Sequence, residues 1–152
     1  MKKMNNKGFS LVELIVVVLI MAIIAVALAP QVMKWVDNSR RSTDEDNYNE
    51  MIANAQVALT DKAAYNAVYA SGTATVKYRI ATDNNGTKLY TGASGTTEAG
   101  ASDAVKKAMD AVSANWPSIK AKVNGGSYLI EIYSDGSVRK TSSAPALNAD
   151  LS

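Results

Sequence analysis

Apolar residues are concentrated in one run near the N-terminus of the chain. Between Phe9 and Ala29 only Ser10 and Glu13 are polar. As a helix this run is about 30 Å long, which is the thickness of the hydrocarbon core of a bilayer. In lipid, a single segment can satisfy all its backbone hydrogen bonds only as a helix. The pattern therefore predicts a transmembrane helix over residues 9–29.

A short basic segment precedes this run. Residues 1–8 contain Lys2, Lys3 and Lys7 and no apolar stretch of their own. The positive-inside rule places this end of the chain in the cytoplasm and the bulk of the chain outside. The sequence thus predicts a single-pass membrane protein with a cytoplasmic N-terminus.

An ordinary secretory signal peptide and a plain membrane anchor are two simpler interpretations of the run. A signal peptide would be cleaved after the small residues Ala27-Leu28-Ala29, but Pro30 follows them directly and Glu13 places a charge inside the apolar segment. A plain anchor explains the length of the run, but it gives Glu13 no purpose.

Glu13 is the most informative residue of the run. A carboxylate within hydrocarbon costs about 2.5–3.5 kcal/mol on insertion scales, and such residues usually have a partner and a function. No cation lies within one helical turn on its apolar side. If the chain were cut after Gly8, the new α-amino group of Phe9 would supply one, in the same chain or in a neighbouring subunit. Glu13 is therefore predicted to lack a partner until cleavage, and to favour a fixed stagger between packed helices afterwards.

The segment Gly8-Phe9-Ser10-Leu11-Val12-Glu13-Leu14 resembles the processing motif of type IV prepilins and the related pseudopilins. The resemblance implies cleavage between Gly8 and Phe9 by a prepilin peptidase, which requires Gly8, and N-methylation of Phe9 by the same enzyme. It also implies that Glu13 aids subunit docking through the N-terminal amine. Pro30 falls where members of this family often carry a helix-kinking proline.

The resemblance also implies partners and a location. The partners would be other copies of the chain in a helical homopolymer, the prepilin peptidase, the pilus assembly platform proteins and the lipids of the cytoplasmic membrane. The subunit would lie in that membrane before assembly. After assembly it would lie in an extracellular pilus at the cell surface.

Helical character continues beyond the apolar run. Pro30 removes one backbone donor and is expected to bend or locally melt the helix. Beyond it, Arg40 with Asp44 and Arg41 with Glu45 stand four residues apart and can form ion pairs.

An apolar stripe at spacings of three or four residues follows. It predicts a helix face buried under a sheet, and its members are Tyr48, Ile52, Ala55, Leu59, Ala63 and Ala67. Gly72 is a stop signal, so the long helix is predicted to run from about Ser10 to Ser71.

The remaining residues predict a small head with strands and one helix. The strands predicted from alternation and turn residues are 73–82, 87–91, 127–133 and 138–141. Turns at Asp83-Asn84-Asn85-Gly86 and at Asp135-Gly136 join them into two hairpins.

Two further elements are predicted between the hairpins. The small and polar residues 92–100 predict an exposed loop. Ser102 is expected to cap a helix from Asp103 to about Asn115, and Pro117 is expected to end it.

The predicted organisation has four parts. They are a cleaved leader (1–8), a transmembrane and assembly helix (9–29), a continuation of the long helix (30–71) and a globular head (72–152). The fold class is α+β, a type IV pilin fold in which a long N-terminal helix packs against a small antiparallel sheet.

Composition narrows the chemistry. The 152 residues include no cysteine and no histidine, which excludes disulfides and removes the commonest general base near neutral pH. We predict no catalytic residue, no cofactor and no enzymatic activity. Three of the 16 basic residues lie in the leader, which leaves 13 against 14 acidic residues. The rest of the chain therefore has no basic field of the kind that recruits nucleic acid.

Binding sites in the head have little support from the sequence. Asp83-x-Asn85-x-Thr87 resembles the start of a calcium loop, but the twelfth position is Ser94 rather than Glu, so no metal is predicted. Six cations could contact DNA or an anionic surface, although outward charges are usually only solvated; they are Lys77, Arg79, Lys106, Lys107, Lys120 and Lys122.

Three functions remain open. The first is a structural subunit, a major or minor pilin, of a type IV pilus. The second is a pseudopilin of a type II secretion or DNA-uptake machine. The third is a membrane-anchored binding protein or enzyme that does not polymerise. Glu13 and the long helix argue against the third function, and the motif does not separate the first two.

Overall fold

A computed structural model describes residues 10–123 and 127–141 of the chain. The chain divides into two compact units, Met1–Asn38 and Ser39–Ser152. The division falls within one long helix, α1, which covers Leu11–Ala58. The head was predicted to begin at residue 72, but the second unit begins earlier because the end of α1 supplies part of its core.

Pro30 lies inside α1, and the helix continues through it without interruption. The local melting that the sequence allowed for is therefore not found. Proline removes a single backbone donor, and its fixed φ of about −65° is itself helical, so the bonds on either side can keep the helix continuous.

The part of α1 in the second unit packs through one face. Tyr48, Met51, Ala55 and Ala58 are buried at spacings of three or four residues. The Tyr48 hydroxyl donates a hydrogen bond to the carbonyl oxygen of Leu129 at 2.7 Å. Of the predicted face, Tyr48 and Ala55 are buried and Ile52 is half-buried, so the prediction is confirmed from Tyr48 to the end of α1.

The helix predicted to reach Ser71 is interrupted. α1 ends at Ala58, and a second helix, α2, covers Lys62–Val68. Asp61 caps α2 by accepting hydrogen bonds from two amides of its first turn, at 2.8 and 3.0 Å. Short polar side chains compete with helical backbone bonds and favour cap positions, which explains why a new helix starts here.

The interruption moves the buried face by one residue. The sequence predicted Ala63 and Ala67 in the core, but both are exposed, and Ala64 and Val68 are buried instead. The prediction was wrong because it extended helical spacing across residues 59–61, where the backbone forms a turn.

Five strands form one sheet. They are β1 (Val76–Thr82), β2 (Thr87–Thr91), β3 (Thr97–Glu98), β4 (Tyr128–Tyr133) and β5 (Val138–Lys140). The order is β3-β2-β1-β4-β5, and every pairing is antiparallel. Ile80 on β1 pairs with Leu89 on β2 and with Ile130 on β4, and all three are buried. The four predicted strands, the two hairpins and the α+β pilin fold are confirmed.

The region between the hairpins differs from the prediction. The supposed loop 92–100 contains β3, which extends the sheet at the edge of β2. The helix α3 covers Ala104–Val112 and is shorter than the predicted 103–115. Its cap is Asp103 rather than Ser102, because the Asp103 carboxylate accepts bonds from two amides of the first turn, at 2.9 and 3.1 Å.

Pro117 does not end α3. The helix ends because Ser113 adopts an extended backbone, with φ −149° and ψ 107°. Pro117 lies farther on, in a 3₁₀ turn over Trp116–Ser118. Trp116 is buried there and donates its indole N–H to Asp110 at 2.8 Å, which holds the turn against α3.

Candidate processing and assembly segment

A side chain of the first turn, that of Glu13, caps the N-terminus of α1. Ser10 and Glu13 are three residues apart, the spacing of a capping box. The backbone N–H of Ser10 donates to Oε2 of Glu13 at 2.9 Å, and the N–H of Leu14 donates to the carbonyl of Ser10 at 3.2 Å. The Glu13 carboxylate therefore lies at the positive end of the helix, where a negative charge is favourable.

This geometry gives Glu13 an uncharged hydrogen-bond donor, the Ser10 amide, within the same turn. The absence of a cationic partner before cleavage, which the sequence predicted, stays a prediction. The predicted processing residues Gly8 and Phe9 lie outside the described residues. The capping box could have been found in the sequence, because Ser10-Leu11-Val12-Glu13 has its pattern.

The apolar side chains at the start of α1 are exposed. The large apolar residues from Leu11 to Leu28 expose between 42 and 76% of their surface. The most apolar window of the helix has a mean hydropathy of 3.2, and none of it is buried. An exposed apolar surface of this extent marks a site of contact with lipid or with other proteins. By length and composition the helix can cross a membrane.

The segment that resembles a calcium loop, residues 83–87, forms a turn that the Asp83 side chain stabilises. Asp83 Oδ1 accepts hydrogen bonds from the backbone amides of Asn85 at 2.7 Å and Gly86 at 3.0 Å. The bond from the Asn85 amide is the main cause of a lowered pKa for the Asp83 carboxyl. Within residues 10–123 and 127–141, no three carboxylates stand close enough to hold a metal ion.

Two of the six cations considered for surface binding have acidic partners. Arg79 pairs with Glu131 at 2.7 Å, and Lys106 pairs with Asp110 at 2.9 Å. Burial would raise the pKa of the Glu131 carboxyl, but hydrogen bonds, with that from the Tyr133 hydroxyl foremost, hold it below its ordinary value. These cations therefore contribute to interactions within the head.

Asp44 has a role that the sequence did not reveal. It is only 1% exposed. Its Oδ1 accepts the backbone N–H of Lys122 at 2.6 Å, and its Oδ2 accepts that of Val123 at 2.9 Å. The sequence suggested a surface ion pair with Arg40 four residues away. No local pattern could show these two bonds, because the amides of Lys122 and Val123 follow Asp44 by 78 and 79 residues.

Comparison with known proteins concerns the same N-terminal segment. A model of the prokaryotic N-terminal methylation motif matches residues 3–29. No curated protein and no solved structure gives a significant match to the chain. The motif is the hallmark of type IV prepilin-like and pseudopilin-like proteins. In this chain the motif opens a long helix whose end packs against an antiparallel sheet, so the matched segment and the architecture are similar to those of type IV pilin-like proteins.

Proposed function

We propose that the chain is a structural subunit of a type IV pilus. It is inserted in the cytoplasmic membrane with its N-terminus inside, and it then polymerises through its N-terminal helix into a filament outside the cell. The observation that carries this proposal is the helix from Leu11 to Leu28, whose large apolar side chains are exposed while Glu13 stands at its start. Lipid would cover these side chains before assembly, and neighbouring helices would cover them afterwards.

Processing is the first step of this proposal. Prepilin peptidase would cut between Gly8 and Phe9 and methylate the new amine. Mass spectrometry of the mature protein is expected to find N-methylated Phe9 as the first residue. An intact Met1, or a chain beginning at Pro30, would contradict the proposal. Replacing Gly8 with a bulkier residue is expected to leave the leader attached.

The role of Glu13 in assembly can be separated from its role as a helix cap. Glu13→Gln keeps a carbonyl oxygen that can accept the Ser10 amide bond seen at 2.9 Å, but it removes the charge. Glu13→Val removes both. If the charge pairs with the amine of Phe9, both variants insert in the membrane and both lose filaments.

The measurement is the yield of sheared filaments relative to subunit in the membrane fraction. Normal filaments from Glu13→Gln, with a loss in Glu13→Val, would mean that helix capping rather than charge supports assembly. Normal filaments from both variants would overturn the proposed role of Glu13.

The same experiment tests pilus against pseudopilus. If the chain builds a pilus, it is a main protein of the filaments released by shearing cells. Its absence from sheared material, with the processed subunit present in the membrane, would favour the alternative, a pseudopilin of a secretion or DNA-uptake machine.

A further inference from the structure

Trp35 is an exposed aromatic residue just beyond the apolar run. It exposes 69% of its surface, whereas the only other tryptophan of the chain, Trp116, exposes 1%. Its neighbours Val32, Met33 and Val36 are also exposed apolar residues of α1. Exposure of several apolar side chains to water on one short stretch of helix is unfavourable. We therefore expect residues 32–36 to contact a partner.

The distance along α1 indicates what that partner is. If the membrane span ends at Ala29, Trp35 lies about 9 Å farther along the helix axis. Alternatively, Glu13 stays at the inner boundary of the hydrocarbon core, and a span of about 20 residues begins at Leu14 and ends at Met33. Trp35 then lies about 3 Å beyond the end of the span. Side chains on a helix tilt toward its N-terminus, which brings the indole ring back toward the bilayer.

The placement about 3 Å beyond the span puts the ring in the headgroup layer, and the placement about 9 Å beyond it reaches that layer through the tilt of the side chain toward the bilayer. This layer is about 5–8 Å thick on each side of the hydrocarbon core. An indole suits it because the ring is apolar and its N–H can donate to lipid or water. The sequence also changes character at this point, since Lys34 and Asp37 flank Trp35 and Asn38 follows. The lysine stem can lie along the bilayer surface with its charge in water.

We propose that Trp35 binds the headgroup layer of the outer leaflet and fixes the depth of the subunit in the membrane before assembly. This inference rests on the proposed membrane insertion of the subunit. The partner is a phospholipid surface, and a second copy of the chain is the competing partner that the experiment must separate from it.

Depth-dependent quenching of fluorescence tests this proposal. The full chain is placed in phosphatidylcholine vesicles whose acyl chains carry bromine either near the headgroup or near the terminal methyl. The signal of Trp35 is the difference between the wild-type protein and Trp35→Phe, which leaves the buried Trp116 untouched. Shallow bromine is expected to quench this difference signal at least about twofold more than deep bromine.

Two controls keep the result decisive. Trp35→Phe alone reports Trp116, whose emission should not distinguish the two lipids. Trp116→Phe, where it folds, reports Trp35 directly and should reproduce the difference signal. Flotation of the vesicles shows independently whether the chain is bound to the membrane.

Each outcome has a clear meaning. Equal or stronger quenching by deep bromine would overturn the proposal, because the ring would then lie in the hydrocarbon core. An unquenched Trp35 in floated vesicles would also overturn it while leaving membrane insertion intact. If that same residue then became shielded in sheared filaments, its partner would be a second copy. A chain that failed to float would refute both the anchor and the proposed insertion.

Discussion

Asp44→Ala is expected to weaken the head more than most substitutions on α1. Asp44 joins the helix to residues 122 and 123 through two backbone amides, at 2.6 and 2.9 Å. A hydrogen bond to a charged group contributes about 1.5–3 kcal/mol. Because residues 122 and 123 are not fully buried, water can reach the freed amides. We therefore expect a loss of about 2–4 kcal/mol in the free energy of unfolding.

The assay is urea unfolding in detergent of the full chain carrying Trp35→Phe, so that the emission reports the buried Trp116 alone. Two matched controls accompany it. Glu45→Ala changes the adjacent, exposed carboxylate, and Lys122→Ala leaves the backbone amide that Asp44 binds. Both should stay within about 0.5 kcal/mol of the wild type. If Asp44→Ala also stayed within that range, the two hydrogen bonds would not hold the helix to this segment.

Three further predictions concern the second unit, Ser39–Ser152, and urea unfolding measures each of them. Gly86→Ala places a Cβ 2.9 Å from the carbonyl oxygen of Pro117 and should cost about 1–3 kcal/mol, whereas Gly100→Ala meets no atom within 4 Å and should cost much less. Burial, with a hydrogen bond to a carboxylate, raises the pKa of Tyr78 from 10.0 to about 12. The stability present below pH 10 should therefore be lost as the pH rises toward 12, and Tyr78→Phe should flatten that decline; an unchanged decline would contradict this assignment. Asp61→Ala should cost about 1 kcal/mol and Asp61→Ser much less, and equal losses would mean that Asp61 does not act as a cap.

Local patterns predicted much of the fold. Alternation along residues 76–82 marked β1, because one face of that strand is buried and the other is not. The spacing of Tyr48, Ala55 and their neighbours marked the buried face of α1. The Ser10-to-Glu13 cap was visible in the sequence too, although its significance was missed.

The rest depended on information that no local pattern carries. Thr60 and Asp61 can break a helix, but the same residues are tolerated on the exposed side of a continuing helix, so the end of α1 was misplaced. β3 has only two residues, too few to show alternation. Asp44 resembled its charged neighbours, and only the approach of residues 122 and 123 gives it a structural role.

The contacts that close the head also constrain the order of events during synthesis. Tyr48 bonds to Leu129, 81 residues later, and Asp44 bonds to amides at comparable separations. Helix α1 therefore cannot complete its packing until nearly the whole chain has been made. The apolar run leaves the ribosome first, while β4 is still unmade, and synthesis at about 5–20 residues per second leaves several seconds between these events. Under the proposed membrane insertion, the run would therefore reach the bilayer before the sheet can form.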